Sequence, residues 1–349
     1  MPLNKPKVLL LSDFPSAGDE AAGSLFVGES GKELARMLND SGINFKDCYI
    51  TSVFKHQPPG GDIANWCVTK VEADKIHKER MGCKYTLPNV KPAHYIHPTY
   101  LASRGELYKE LEAVGANVIV ALGDVAAWAL LDDARLGKSR GTITKSPYVT
   151  TKVLPTYAPK NVLKTWSFRA IACADLTKAA HESQFPEIVL PSVEVWIEPE
   201  LVDIQRFIYV HLDTAKEVTV DIETDGRSII TCIGFSVPEG KAICIPLVDR
   251  RNPNFSYWKT LEDEVACHRL IRYICSSRAN KVLQNGLFDV QHMWRHGWVL
   301  RNFTEDTMVK HHSQQPELKK GLGFLGSIYT NYPSWKQLRT KVKTEKPDG

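Results

Sequence analysis

Hydrophobic positions along the first half of the chain switch repeatedly between two periods. Lys7–Ser12 is a short apolar run of strand type, and Gly31–Ser41 places Leu34, Met37 and Leu38 at helical spacing. Cys48–Phe54 reads as a second strand, Leu101–Val114 as a helix, Asn117–Leu122 as a buried strand and Asp124–Leu131 as another helix. Lys152–Pro155 predicts a further strand and Leu176–His181 a closing helix. Short strands separated by helices predict an α/β unit with a mostly parallel sheet. Between them, Pro58–Pro98 carries turn signals and little periodicity, and reads as an irregular insertion.

The pattern then pauses and restarts. Glu182–Pro191 is polar at one end and bracketed by Pro186 and Pro191, which makes it a linker between a domain over 1–181 and another over 192–349. Beyond it, Ser192–Ile197 alternates as a strand, Pro199–His211 is helical and Glu217–Ile222 is a β-branched strand. Ser228–Ser236 and Lys241–Pro246 predict two antiparallel strands joined at Pro238-Glu239-Gly240. Helices near Leu261–Ser276 and Phe288–Arg295 flank a strand at Lys281–Leu283, and Trp335–Gly349 is basic and unpatterned, expected to fray. Two domains also suit 349 residues.

Composition narrows the classes. With 43% hydrophobic and 24% charged residues the chain has the makings of packed cores. Its apolar runs fall far short of the ~20 residues that span a bilayer, and the N-terminus has no secretory h-region, so a cytoplasmic protein without a membrane partner is expected. Eight cysteines without a C-x-x-C pair predict reduced, small buried thiols. The formal charge of +4 is uneven, +5 over residues 1–181 and −1 over the remainder. A mildly basic first half is compatible with nucleic acid.

In the second half, Val218-Thr-Val-Asp221-Ile-Glu223-Thr-Asp225-Gly226 sets two carboxylates two residues apart at a strand end, hence on one side of the strand. Paired carboxylates repel unless a divalent cation neutralises them. Alone, D-x-E is a common strand ending. Gln284-Asn285-Gly286-Leu287-Phe288-Asp289 adds a third carboxylate at a helix mouth, where Asp289 could equally be a helix cap. Together the two motifs resemble D-I-E-T-x-G and N-x-x-F-D of the proofreading domains of family A DNA polymerases, in the RNase H-like exonuclease superfamily. Glu305-Asp306-Thr307-Met308 resembles that family's D-T element, and Leu322–Leu325 with Tyr329 and Tyr332-Pro-Ser-Trp335 resembles the segment before its third motif. The resemblance spans about 192–349 and implies an RNase H-like mixed sheet. It implies two Mg²⁺ or Mn²⁺ ions held by Asp221, Glu223 and Asp289, with Asn285 and Phe288 contacting the DNA 3′ end or single strand. The third motif, Y-x-x-x-D, has no match after Trp335, and the one late Asp is Asp348. The nuclease is therefore expected to be truncated, split from a separately encoded polymerase fragment, or degenerate.

In the first half, Ser12-Asp13-Phe14-Pro15-Ser16, then Gly23–Gly28 with Phe26, then Tyr49–Val53 with Lys55 and Pro58-Pro59 follow one another. Leu122-Gly123, Arg140-Gly141 and Pro155-Thr-Tyr157-Ala158-Pro159 complete the order. The series resembles the family 4/5 uracil-DNA glycosylases over about residues 5–180, implying a three-layer α/β/α fold and hydrolysis of an N-glycosidic bond on a flipped base. By that resemblance Asp13 stands for the catalytic Glu, Phe26 is the stacking ring, Ser52 replaces the base-reading Asn and Ala158 replaces the His. No iron–sulfur cluster is expected. His97-Pro98 is out of order and reads as a loop histidine. The combined expectation is a phage-type DNA replication or repair protein, a divalent-metal 3′–5′ exonuclease fused to a glycosylase-like DNA-binding domain. A non-catalytic fragment of a split polymerase and an active uracil-DNA glycosylase are the alternatives.

Overall fold

The computed structural model describes residues 6–226 and 228–332. They form two compact units, one from the described residues up to Leu190 together with those from Gly323 on, the other Pro191–Leu322.

The first unit contains β1 (Val8–Ser12), β2 (Tyr49–Ser52), the two-residue strands β3 (Cys67–Val68) and β4 (Tyr95–Ile96), β5 (Val118–Leu122) and β6 (Lys152–Thr156). Four of these make an all-parallel sheet in the order β2–β1–β5–β6, while β3 and β4 pair antiparallel. Alternation along the strands divides the core into two faces. Leu9, Leu11, Ile119, Ala121 and Val153 pack with Leu107, Leu111 and Trp128 on one side. Leu10, Val120, Leu122 and Leu154 pack with Leu34, Met37, Leu38, Leu176 and Ala179 on the other. Both sheet faces are covered by helices, so the strands read as unbroken apolar runs, and the result is the expected α/β/α layering.

Short helices at Ala17–Ala22 and Pro159–Lys164 were not expected from the sequence, and two longer segments differ for a clear reason. The insertion contains a helix, Lys70–Met81, whose one buried residue is Ala73, so no apolar stripe announced it. It is held instead by reciprocal capping between Thr69 and Glu72 and by Gly82 in the left-handed region at its end. The closing helix starts at Phe168 rather than Leu176, because Ile171 and Ala172 extend its buried face.

Charge is buried at several places in this unit, and one of them anchors a helix. The Arg140 guanidinium grips Asp175 with Nε at 3.1 Å and Nη2 at 2.5 Å, and the Thr156 hydroxyl donates to the same carboxylate at 2.7 Å. Arg140 Nη1 also donates to Ser327 Oγ at 3.0 Å, and Lys178 Nζ donates to the carbonyls of Gly141, Ser327 and Thr330 at 2.6–2.8 Å. This cluster seats the helix Leu322–Tyr329 on the first unit. Burial pushes the Asp175 carboxyl up, against the pull of Arg140, and brings the Lys178 ammonium down to about 8.

The second unit holds β7 (Glu194–Ile197), β8 (Glu217–Thr224), β9 (Ile230–Val237), β10 (Lys241–Pro246), β11 (Asn280–Leu283) and β12 (Phe303–Asp306). Their order is β12–β11–β8–β9–β10–β7. β12, β11 and β8 run parallel, β8–β9–β10 form an antiparallel meander, and β7 lies parallel to β10. This is the mixed sheet expected from the sequence. Val218, Val220 and Ile222 of β8 enter a core with Phe235, Ile271, Ile274 and Trp298, leaving Thr219, Asp221 and Glu223 on the opposite side of the strand.

Asp175→Asn is expected to leave the Arg140 guanidinium buried without a counter-charge. Breaking a buried pair from one side costs about 3–5 kcal/mol, so the urea midpoint of the first unit should fall steeply; an unchanged midpoint would show that the cluster adds no net stability.

Candidate functional site

Each unit gathers candidate chemistry where parallel strands end. In the first, a cavity of about 350 Å³ opens at the carboxyl ends of β1 and β5 and just beyond β6, the usual ligand position in open parallel sheets. Asp13, buried at the end of β1, accepts from the Ala126 backbone N–H at 3.1 Å through Oδ1 and from the Lys160 ammonium at 2.8 Å through Oδ2. Gly123 permits this approach. Its φ is +112°, and a Cβ there would lie 2.9 Å from Asp13 Oδ1. Burial pushes the neighbouring Asp124 carboxyl up, the Asp13 charge adds to that, and Lys160 opposes it.

Phe26 lines the same cavity from a backbone with φ of 63°. That conformation is costly for an aromatic residue. Asp19 holds the segment, accepting from Val27 N–H at 2.9 Å while sharing a reciprocal cap with Ser16. Ser12 Oγ, on the lining, is buried without a hydrogen-bond partner.

In the second unit, β11 pairs with β8 only as far as Thr219. Past that point the chain after β11 turns into the helix Leu287–Arg295, and the Ile222 N–H of β8 faces it. Asp289, in the helix's first turn, fills the gap and accepts from Ile222 N–H at 3.1 Å. The third carboxylate therefore bonds to the residue between Asp221 and Glu223. Burial pushes the Asp289 carboxyl up to about 6, with Asp221 adding to the rise against the Ile222 hydrogen bond.

Asp306 fixes the approach to this helix. It accepts from the N–H groups of Asn285 and Gly286 at 3.1 and 2.7 Å, and from Met308 and Val309 at 2.9 and 3.2 Å. Burial alone would raise its carboxyl, yet these four donors hold it below the ordinary range. Asn285 consequently sits at φ 58°, and Gly286 packs so tightly that a Cβ would lie 2.6 Å from Leu283. Phe288 is 46% exposed with its ring against His292, centroids 4.2 Å apart. Among the described residues no three His, Cys, Asp or Glu side chains stand close enough together to hold a metal ion.

The structure thus puts Asp13, Phe26 and Ala158 on one cavity and sets Asp289 against the strand carrying Asp221 and Glu223. Ser52 is the exception. It is buried at the end of β2, in register with Ser12, and is absent from the cavity lining, where Gln57 supplies an amide instead. His97 accepts from Thr99 N–H at 3.2 Å at the start of a turn, as a loop histidine would. Trp335 and Asp348, considered for the third motif, lie outside the described residues. Sequence reasoning missed Lys160, although it directly follows Ala158-Pro159, and gave Asp306 no role beyond its motif.

The family model of the uracil DNA glycosylase superfamily matches residues 1–182. A type-4 uracil-DNA glycosylase of Thermotoga maritima is 24% identical over 176 residues, 50% of this chain and 76% of that protein. A type-4 uracil-DNA glycosylase of Archaeoglobus fulgidus is 30% identical over 123 residues, 35% of this chain and 46% of that protein, so the chain spans less than half of the latter. The EXD2 exonuclease domain soaked in Mn and GMP aligns at 17% identity and a TM-score of 0.28, over 45% of this chain and 80% of that one. The same domain soaked in Mg and dGMP aligns at 18% identity and a TM-score of 0.28, over 45% and 79%. A likeness of that size is weak.

The raised Asp289 carboxyl has a stability consequence. Its folded pKa lies above its unfolded value of 3.8, so the folded state favours the protonated form and the penalty for ionising it is full above about pH 6 and gone below about pH 4. Asp289→Asn in chelator should therefore stabilise the second unit by about 2–3 kcal/mol near neutral pH, shrinking to nothing in acid. Urea titrations across pH check this; a loss of stability at neutral pH would contradict it.

Proposed function

Because this chain belongs to the uracil DNA glycosylase superfamily, we propose that it acts on DNA through its first unit and trims DNA 3′ ends with its second. The nuclease reading rests on one observation, the Asp289 carboxylate bonded to the backbone between Asp221 and Glu223. The strand and the helix thus bear three carboxylates, one already raised to about 6 by burial and Asp221, which a divalent cation would relieve if they closed on it. Mg²⁺ or Mn²⁺ held by Asp221, Glu223 and Asp289 would supply Lewis-acid activation of water and of the scissile phosphodiester. The exposed Phe288 ring offers a stacking platform for a terminal base. The Asn285 backbone, pinned by Asp306, gives the substrate a fixed edge.

A second reading, binding without catalysis, is favoured by a separate fact: among the described residues no three ligating side chains stand close enough for a metal. Misplacing a nucleophile is costly in rate. The expected outcome is slow, Mn²⁺-dependent shortening of a 5′-labelled single-stranded oligonucleotide, abolished by Asp221→Asn. DNA binding without shortening would favour the second reading, and shortening that survives Asp221→Asn would place the activity elsewhere.

For the first unit the proposal is DNA binding with little or no uracil excision. Asp13 keeps a carboxylate at the cavity, but one oxygen is taken by Lys160, and Ala158 stands where a leaving uracil anion would need a donor. Losing one such donor costs ~10²–10³ in rate. Uracil release from single-stranded DNA should be absent or barely measurable, and Ala158→His should raise it about tenfold or more. Brisk release by the unaltered chain, lost in Asp13→Ala, would overturn this.

A further inference from the structure

Lys160 is the one lining residue of the first cavity with a basic side chain. Three observations set it apart from a surface lysine. Its Nζ lies 2.8 Å from Asp13 Oδ2, so a primary amine and a buried carboxylate share one hydrogen bond inside a cavity. Its Nζ also lies over the Phe14 ring, 4.8 Å from the centroid, which holds the amine at the cavity while the side chain stays 46% exposed. Ser12 Oγ, also on the lining, is buried and has no partner, a polar atom waiting for something the chain does not provide.

We propose that Lys160 captures abasic sites in DNA by forming a reversible imine with the C1′ aldehyde of the ring-opened deoxyribose. The proposal rests on the reading that the first unit binds DNA with Asp13 facing the sugar. If Asp13 faces C1′, the amine one hydrogen bond away is within reach of the same carbon. The chemistry closes with the groups present. The Lys160 ammonium passes a proton to Asp13 Oδ2, and the freed lone pair adds to C1′ as the carbonyl π pair moves to oxygen. The carbinolamine oxygen takes up protons, the one on Asp13 among them, and leaves as water. The balance is one ammonium and one aldehyde in, one protonated imine and one water out, with no oxidant or reductant. A primary amine with a proton acceptor one hydrogen bond away has both groups that this step uses. A cavity without a histidine to stabilise a departing base, yet with an amine beside a carboxylate, fits a sugar whose base has already gone.

The test uses the full chain and an oligonucleotide carrying one preformed abasic site, with cyanoborohydride to reduce any imine to a stable amine. A covalent protein–DNA band is expected, and peptide mapping should place the adduct on Lys160. Lys160→Arg keeps the charge and the Asp13 ion pair and should lower the yield about tenfold or more, whereas Lys164→Arg, a neighbouring exposed lysine, should not. In Asp13→Asn trapping should slow at neutral pH and recover toward about pH 9, where bulk base replaces the lost acceptor. The unaltered chain should gain less than the variant between neutral pH and about pH 9; an equal gain in both is the deprotonation of any lysine and would deny Asp13 the acceptor role. Fluorescence anisotropy on the same oligonucleotide separates the two ideas. Binding without an adduct, or an adduct on another lysine, overturns the proposal alone. Absence of binding overturns the DNA-binding reading and the proposal with it.

Discussion

Parallel strands that lose their neighbours at their carboxyl ends leave backbone N–H groups that a folded interior must satisfy. Both units answer that constraint with carboxylates, and the candidate chemistry follows from it. Asp13 accepts from Ala126 N–H at the start of the helix after β5, and Asp289 accepts from Ile222 N–H where β11 has left β8. Asp306 takes four N–H groups at once, tying the loop after β11 to the helix after β12. Asp289 and Asp306 are held inward by backbone N–H groups, and Asp13 answers one such group while also taking the Lys160 ammonium.

The same device produces different electrostatics in the two units. Asp13 has a cation at its second oxygen, so its charge is balanced within the chain and one face of the carboxylate is occupied. Asp289 is pushed up to about 6 by burial with Asp221 nearby. An acid left in that condition is poised to gain from an added cation, while one already paired has its charge met within the chain.

Fold class and the broad chemistry were legible along the chain. Apolar runs at strand length between amphipathic helices required a parallel sheet covered on both faces, and the strand period placed Asp221 and Glu223 on one side without any coordinates. Asp13 and Phe26 came from the resemblance to family 4/5 glycosylases, and both line one cavity. Other features left no such trace. Helix Lys70–Met81 buries a single alanine, so hydrophobic periodicity was silent there and only the Thr69–Glu72 cap marked it. Ser52 occupied a motif position yet packs beside β1, away from the cavity.

Spacing along one strand or one helix turn was thus settled by the sequence itself, because backbone geometry fixes which side chains share a face. The meeting of Asp13 with Lys160, 147 positions apart, was decided only when β1 and the segment after β6 came to the same end of the sheet. The hold of Asp306 on Asn285 and Gly286, and of Asp289 on Ile222, likewise depends on where paired strands part. Which N–H groups are orphaned is a property of strand pairing, and pairing between distant segments is set by packing the whole core rather than by local pattern.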